Sequence, residues 1–550
     1  MEMEGERRAG RERFCKVMDI LRSAVAGVMV FIFLFIYPLY IRNRYGEVIE
    51  GKYQLYWMTA LTGLAAALIL GLIWLLADLI LYKRQGCKAF FAGFRQGEWK
   101  KRISLPHVFL LIFMAAVVIS TLQSEYLYES VWGNEGRYSG AFLLLLYGTS
   151  TWIISRMLKF HQAYLEIFLV SAMGVCLLGI ADYFHWDPME FKLGMIRSQD
   201  IFTSTFGNIN VYTAFVDIAA GAAAALFVSA RGKKVFWYYI CMAVIFTAAI
   251  AGRSDNVYLA FGVLLGFLPF DAFKERRGVC RYLIMAATFC SVIRFLGLFE
   301  TRKGEALGEV IGLAGFSASV GSTVWLTAAT AILWILAAVL YLRNRDQLEE
   351  PLEKRIKLIW AAVLGATLLL GAAALLDANL GGHGDRYGIL APYLVFNDYW
   401  GTTRGFVWRF AIELYNQFPL IHKIFGYGPE TFGILTTQYN GNTMVEMYTE
   451  FGVYYDNAHN AFLQYLVTIG AAGLLTYVLF TGSVIWQLVK KGSKNPAITA
   501  CVFGISCYLA QSVVNIELPA ATPVFWTLMA VGLATVRSEN REKTEKSRHN

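Results

Sequence analysis

The chain is a succession of long apolar runs separated by short charged stretches. A helical run of about 20 residues crosses the hydrocarbon core of a bilayer, which is about 30 Å thick. Backbone groups in lipid must pair with one another, so the runs are predicted to be helices. The alternating pattern of a membrane barrel is not evident. The sequence therefore predicts an all-α fold, a polytopic transmembrane helical bundle that forms one integral membrane domain over residues 1–550.

About fourteen runs qualify as spans, within a range of about 12 to 14. They lie near 21–41, 55–82, 105–122, 140–156, 163–184, 209–230, 236–251, 257–270, 282–299, 323–342, 358–377, 460–489, 497–514 and 522–536. Charged residues make up only 16% of the chain, against about 25% in a typical soluble protein. The composition agrees with a multi-pass membrane protein.

The basic residues predict how the bundle is oriented, because Lys and Arg are retained on the cytoplasmic side. With the N-terminus inside, the cytoplasmic segments hold about 35 of the 49 Lys and Arg residues. We therefore expect a protein of the cytoplasmic membrane with both termini inside and a large extracytoplasmic loop at 378–459. The net charge of +9 then reflects contact with anionic lipid at the inner surface, and no pattern indicates nucleic-acid binding.

The most polar part of the chain runs from Thr403 to Gly473, within and just after this loop. Apolar residues recur among polar ones from Arg404 to Gln417, which predicts a short amphipathic helix near the membrane surface. Pro419 and the glycines that follow should end it. The helix either packs on the bundle as a lid or presents Arg404 and Arg409 to an anionic ligand.

His459 is the candidate base in this region. Asp456 or Asn457 is predicted to cap the following helix, which places His459 in or next to its first turn. A helix N-terminus attracts anions and disfavours an imidazolium, so it suits phosphate binding and a neutral, proton-accepting histidine. The alternative role for His459 is a structural hydrogen bond.

Arginines on the predicted outer side are few, so those present are candidates for binding phosphate. They include Arg197 and Arg253, although Arg253 could instead be an interfacial arginine that extends toward the headgroups. A polar cluster at 203–210 contains Asn208 and Asn210, which could cap the next helix or hydrogen-bond sugar hydroxyls.

No nucleotide-binding loop, zinc motif, paired-cysteine motif or serine-hydrolase motif occurs in the sequence. We therefore expect neither a metal nor a cofactor. Arginines and one histidine indicate an anionic leaving group that guanidinium groups stabilise, and a hydroxyl nucleophile that a base assists.

These residues resemble the O-antigen ligase and polymerase superfamily of bacterial membrane glycosyltransferases. The resemblance covers about residues 135–520, beginning with GRYSGAFLLLLY (136–147). It rests on TSTFGNINVYTAF (203–215), AGRSDNVYLAF (251–261), TRGFVWRFAIELYNQFPLIHKIFGYGPETF (403–432) and DNAHNAFLQYLVTIGAAGLLTYV (456–478).

The resemblance implies glycosyl transfer from a polyprenyl-pyrophosphate-linked glycan such as an undecaprenyl one. Direct displacement would invert the anomeric centre and would require no metal. The acceptor would be a hydroxyl of a glycan, lipid or wall polymer, in surface polysaccharide assembly by a polymerase or ligase of the cell envelope. Matching the motifs implies His459, Arg404 and Arg253 as catalytic residues. The stretch 421–425 lengthens the family pattern, which leaves the choice between Arg404 and Arg409 open.

The remaining predicted site residues have polar side chains on the same side of the membrane and are expected to bind substrate. They are Arg409, Arg197, Asn208, Asn210, Asn457, Asn460 and Gln464. The alternative function is a polytopic transporter or a flippase for lipid-linked oligosaccharides. A flippase should line a central cavity with charge and keep its loops short, whereas here polar residues gather in one long loop.

Overall fold

The computed structural model describes residues 2–82, 84–96, 103–195, 201–303, 313–342, 350–439, 441–452, 454–492 and 495–549. Within these ranges, ten helices are long and apolar enough to cross a membrane. Three shorter apolar helices accompany them, at Ala141–Met157, Val257–Ala272 and Pro496–Ser512. The prediction of an all-α, polytopic membrane bundle is confirmed.

The helices follow one another closely along the chain. The first half contains Glu2–Phe31, a π-helical turn Ile32–Ile36, Tyr37–Leu39, a 3-10 turn Arg44–Glu47, Val48–Ile80, Gln85–Arg95, Leu105–Leu122, Leu127–Trp132, Ala141–Met157, Ala163–Tyr183, Ile209–Ser229, Lys234–Ala251, Val257–Phe267 and Pro269–Ala272. The second half contains Arg276–Lys303, Gly315–Gly321, Val324–Leu342, Glu350–Asn379, a 3-10 turn Gly384–Leu390, Ala391–Leu394, Trp400–Gln417, Leu420–Phe425, Phe432–Tyr439, Gly441–Phe451, Ala461–Thr468, Gly470–Gly492, Pro496–Ser512 and Thr522–His549.

The centre of the bundle is the helix Ile209–Ser229, whose apolar window is entirely buried. It packs lengthwise on Pro496–Ser512. Small residues make this close approach possible, since a side chain at Gly221 would collide with the backbone carbonyl of Phe503. Close packing of small residues is a common basis for helix association in membranes, where lipid is as apolar as the side chains.

Two helices at the edge of the bundle have largely exposed apolar surfaces. The apolar window of Val324–Leu342 is 6% buried, and that of Leu352–Asn379 is not buried at all. Their exposed leucines and isoleucines are the surface expected of helices surrounded by lipid. Both correspond to predicted spans, at 323–342 and 358–377.

The prediction of one continuous span at 460–489 is wrong. The segment forms two helices, Ala461–Thr468 and Gly470–Gly492, with Gly470 in the left-handed region at φ 73°. The break coincides with a turn that packs against it, because the Gly428 amide donates to the Thr468 carbonyl at 2.8 Å. At Gly426, also at positive φ, a side chain would collide with that same carbonyl.

A short hairpin precedes the central helix. Its strands Phe202–Thr203 and Gly207–Asn208 pair antiparallel, with Phe202 opposite Asn208. The Asn208 side chain accepts from the Asn210 amide at 2.8 Å and caps the helix Ile209–Ser229. The capping role considered for this cluster is therefore confirmed.

The described residues of the segment 378–459 are folded and form their own apolar core. The predicted amphipathic helix is Trp400–Gln417, which ends before Pro419 as expected. Its apolar face packs on other helices of the segment and on the helix after His459. The buried members of this core include Phe406, Val407, Ala411, Leu414, Phe418, Tyr427, Phe432, Leu435, Met447, Ala458 and Val467. The segment is thus a structured layer over one end of the bundle.

Candidate active site

A cavity of about 410 Å³ opens at the end of the bundle that carries the 378–459 segment. Its walls come from the segments at 45–50, 135–138, 202–211 and 515–518, together with His459. These segments are ends of helices and loops that are distant in sequence. The charge distribution predicts all of them on the same side of the membrane, and the fold brings them together around one polar space.

His459 lies in this wall with an unusual backbone conformation. Its φ is 49°, which costs a non-glycine residue about 1 kcal/mol or more. The Asn457 side chain accepts from the His459 amide at 3.0 Å, and the ring Nδ1 lies 3.1 Å from the Asn457 carbonyl oxygen. A carbonyl only accepts, so Nδ1 carries the proton and Nε2 keeps its lone pair. The turn therefore holds the ring as a proton acceptor.

The surroundings of His459 favour the neutral imidazole. Burial is the main cause that lowers the pKa of His459 to about 4; the hydrogen bond with Asn457 raises it, and the positive charges of Arg404 and Arg137 lower it further. The ring is consequently neutral throughout the physiological range. A low pKa makes His459 a weak base on its own, so it is suited to receive a proton as a bond forms.

Arg404 lies beside His459 and has no acidic partner among the residues that the structure describes. Its Nη1 donates to the Gly401 carbonyl at 2.8 Å, while the buried Nε has no hydrogen-bond partner in the described chain. Burial lowers the pKa of Arg404 below its ordinary value, although the group stays charged at neutral pH. Guanidinium N–H groups are thus available for an anion.

Tyr455 connects the two candidate residues. Its ring meets the His459 ring edge-on, with centroids 4.9 Å apart. Its hydroxyl hydrogen-bonds to the Thr403 hydroxyl and lies 3.1 Å from the Thr402 carbonyl. Thr402 and Thr403 both have positive φ, in a left-handed turn that directly precedes Arg404. The contact fixes the start of the arginine-bearing helix against the histidine.

Arg409 lies more than one helical turn after Arg404 on the same helix and, unlike Arg404, has acidic partners. It forms a two-pronged ion pair with Asp398, at 3.0 and 2.8 Å, and a third bond to Glu413 at 3.2 Å. The guanidinium also stacks over the Phe406 ring at 5.1 Å. Its charge is already balanced by two carboxylates, which favours Arg404 over Arg409 as the anion-binding residue.

Arg253 occupies a left-handed turn, with φ 59°, between two helices. Arg253 does not line the cavity. The next residue, Ser254, is connected to the cavity wall, because its hydroxyl donates to the Asn210 side chain at 2.8 Å. Asn210 lines the cavity together with Asn208. The Arg253 guanidinium has no hydrogen-bond or ion-pair partner among the described residues, so it is available at this edge of the site.

The turn that carries Arg253 is linked to the 378–459 segment. Asp255 accepts from the Tyr393 hydroxyl at 2.9 Å, and the Tyr393 carbonyl accepts from the Trp400 indole at 3.1 Å. Trp400 packs on Trp408, with ring centroids 5.0 Å apart. Trp408 in turn donates to the Ala458 carbonyl at 3.1 Å, next to His459. A continuous set of contacts therefore connects the Arg253 turn to the histidine.

The Trp408→Phe substitution tests the last of these contacts. It keeps the ring but removes the indole N–H, a hydrogen bond worth about 1 kcal/mol. We expect a transfer rate reduced about fivefold, because the His459 turn loses one anchor, and a slightly lower apparent Tm in detergent. Unchanged transfer would show that Ala458 needs no such anchor.

Arg137 is a site residue that sequence analysis missed. It lines the cavity and makes a two-pronged ion pair with Asp456, at 3.0 and 2.8 Å, across more than 300 residues of sequence. The only available signal was an arginine on the predicted outer side, in the motif that begins at Gly136. The pair fixes Asp456, and with it the turn that leads to His459.

The predicted cap of the helix after His459 is wrong. Asn460 performs this role, because its side chain accepts from the amides of Phe462 and Leu463, each at 3.0 Å. The Asp456 carboxylate forms an ion pair with Arg137, and the Asn457 side chain accepts from the His459 amide. His459 therefore directly precedes the N-cap residue.

The other predicted site residues lie in different places. The Gln464 side chain accepts from the Ala458 amide at 3.1 Å, which supports the backbone beside His459. Asn457 and Gln464 line a second, smaller cavity beneath the site. Arg197 lies outside the described residues. Within the described chain, no group of three His, Cys, Asp or Glu side chains is placed to hold a metal ion.

Fold and site together define the class: a multi-pass helical membrane protein with a polar cavity at one end, walled by a histidine and flanked by arginines. A family model described as O-Antigen ligase matches residues 307–478, which contain Arg404 and His459. The match confirms the resemblance to the O-antigen ligase and polymerase superfamily and assigns this segment to an O-antigen ligase domain. It supports a role in glycosyl transfer at a membrane. The comparison with curated proteins gave no match.

Proposed function

We propose that the protein transfers a glycan from a polyprenyl-pyrophosphate carrier to an acceptor hydroxyl at the extracytoplasmic face of the cytoplasmic membrane. The observation that carries the proposal is a neutral, proton-accepting His459 in the wall of one polar cavity, with the unneutralised Arg404 close enough to lower the pKa of that histidine. Such a pair supplies what the reaction needs, a base for the hydroxyl and a cation for the departing pyrophosphate. Polymer assembly by a polymerase or ligase is the corresponding biological role.

In the reaction, the acceptor oxygen attacks the anomeric carbon as the bond from that carbon to the pyrophosphate oxygen breaks. The acceptor proton passes to Nε2 of His459, and the electron pair of the broken bond leaves with the pyrophosphate. Arg404 and Arg253 stabilise the negative charge that accumulates there. Direct displacement inverts the anomeric centre. The scheme requires no metal or nucleotide.

The neutral polar groups of the cavity have a separate task. Asn208 and Asn210 use their side-chain carbonyls within the protein, as a helix cap and as the acceptor for Ser254. Their amide N–H groups are left for sugar hydroxyls. Arg409, which is held by Asp398 and Glu413, would then stabilise the helix that presents Arg404.

The proposed orientation can be tested with cysteines placed on opposite faces. Thr437 is exposed in the 378–459 segment, and Lys88 is exposed in a segment predicted to be cytoplasmic. In a variant without native cysteines, Thr437→Cys should react with a membrane-impermeant thiol reagent in intact cells, whereas Lys88→Cys should react only after lysis. The reverse labelling would place the site on the cytoplasmic side and contradict the proposal.

A further inference from the structure

A small cavity lies next to the candidate active site. Its volume is about 30 Å³, enough for one or two waters. Its lining includes Glu430 from the turn after the helix Leu420–Phe425, Gln464 from the helix after His459, and Asn457. Glu517 and Ser139 contribute from two other loops. The cavity therefore lies where the 378–459 segment meets the bundle.

Two side-chain atoms of opposite hydrogen-bonding character are left without partners here. They are Oε2 of Glu430 and Nε2 of Gln464, both buried with no hydrogen bond in the described part of the chain. Glu430 is 5% exposed and Gln464 is 8% exposed. An unpaired buried polar atom costs about 1–3 kcal/mol, so one acceptor and one donor facing a water-sized space indicate a water between them.

The other carboxylate of this cavity is fully satisfied. Glu517 accepts from the hydroxyls of Tyr465 and Tyr477, each at 2.7 Å. Glu430 has no such donors for its Oε2 among the described residues, and its backbone is left-handed with φ 60°. Of the two acids, Glu430 is the one whose protonation can change without breaking existing hydrogen bonds.

The charges that act on Glu430 belong to the active site. Arg137 stabilises its carboxylate and Asp456 destabilises it, while burial is the dominant influence and raises the pKa of Glu430 to about 7. The negative charge of Glu430 also acts on the phenol of Tyr465. Arg137 and Asp456 are the ion pair that fixes the His459 turn.

We propose that Glu430 is a positioning residue that carries a proton, coupled to the site through an internal water bridging Glu430 and Gln464. The inference rests on the proposed glycosyl transfer and adds a titratable residue that controls its rate. When Glu430 is protonated, Arg137 remains paired with Asp456, and this ion pair keeps the His459 turn in place. Ionised Glu430 competes with Asp456 for the same guanidinium, repels the Asp456 carboxylate and loosens that turn.

The pH dependence of transfer tests this role. Membranes from cells carrying His459→Ala supply the lipid-linked glycan that accumulates, and purified enzyme converts it at pH 6 to 8.5. Wild-type activity should fall about 30-fold over this range as a single group with a pKa near 7 ionises. Glu430→Gln mimics the protonated acid, so its activity should stay nearly constant and exceed that of the wild type at pH 8.5. Identical profiles for both proteins would overturn the proposal.

Stability provides a readout that needs no substrate. Because the pKa of folded Glu430 is raised, its stabilising contribution is present below the ordinary value near 4.5 and is lost as pH rises through about 7. Glu430→Gln should therefore raise the apparent Tm by roughly 2–5 °C relative to wild type at pH 8.5, with a smaller difference at pH 5. A Tm difference independent of pH would contradict the inference.

A second variant addresses the water. Gln464→Met removes the amide donor and also the acceptor of the Ala458 amide, so transfer should fall at every pH. Loss of the bridging water should in addition move the alkaline limb of transfer to higher pH. An unmoved limb would exclude the bridging water. If no His459-dependent transfer is found at any pH, the proposed function fails, and the Tm comparison still decides whether Glu430 holds a proton.

Discussion

Replacing His459 with alanine is expected to reduce glycosyl transfer by about a hundredfold to ten-thousandfold, the range for loss of a general base. The imidazole has Nδ1 bound to the Asn457 carbonyl and Nε2 directed to accept a proton, and no other neutral base lines the larger cavity among the described residues. The variant should insert normally in the membrane, because the ring makes one hydrogen bond and one edge-on contact. Cells should then accumulate the unused lipid-linked glycan.

The acid limb of the wild-type reaction gives a second measurement of the same residue. Burial and the neighbouring arginines lower the pKa of His459 to about 4. Transfer should therefore be lost only as pH falls toward 4, and not near 6.5 as for an exposed histidine. The folded protein should also lose stability across this interval, because protonation favours the unfolded state once pH falls below the ordinary value.

His383 provides the matched control. It belongs to the same segment, but its Nδ1 pairs with Asp377 at 2.8 Å and it does not line the cavity. His383→Ala should leave transfer within about twofold. Normal polymer output from His459→Ala, or an equal defect in both variants, would remove the histidine from the mechanism.

Arg404→Lys is the second substitution with a large expected effect. Lysine preserves the charge but not the planar fork that binds phosphate through two N–H groups. We expect a loss of about a hundredfold, typical of removing one donor that stabilises the developing negative charge. The loss should fall on kcat with little change in KM, if the contact strengthens as the pyrophosphate leaves.

Arg409→Lys completes the comparison on the same helix. Its guanidinium is committed to Asp398 and Glu413, and exposed ion pairs of this kind contribute about 0–1 kcal/mol. Transfer should fall no more than about threefold, together with a small decrease in apparent Tm. The mechanism would be contradicted if Arg409→Lys proved the more damaging change. Arg409, and not Arg404, would then hold the pyrophosphate.

Much of the candidate site was accessible to sequence reasoning because the proposed chemistry requires distinctive residues. A charge-poor chain can retain few arginines beside a membrane surface, so Arg404 and Arg253 stood out, and His459 followed from its polar surroundings before a helix. Arg137 did not stand out, since its partner Asp456 lies more than 300 residues away. Glu430 was missed because burial, and not residue type, gives it an unusual pKa.

Errors in local structure had tertiary causes. The run 460–489 is apolar throughout its length and reads as one span, yet a turn from another part of the chain takes the Thr468 carbonyl and breaks the helix. Asp456 and Asn457 are good capping residues. In the structure, however, Asp456 forms an ion pair with Arg137 and Asn457 accepts from the His459 amide. Asn460, the residue left free to cap, then caps the helix. Propensity alone cannot decide between equally suitable neighbours.

The sequence by itself determined that this protein is a helical membrane bundle, since apolar runs of this length have no other stable arrangement in lipid. It also determined which residue types could carry the chemistry. Only the tertiary structure decided which arginine is free, because Arg404 and Arg409 differ in their neighbours and not in their chemistry. Neutralising partners, burial and the meeting of distant loops are properties of packing, and they are what distinguish a candidate active site from a polar loop.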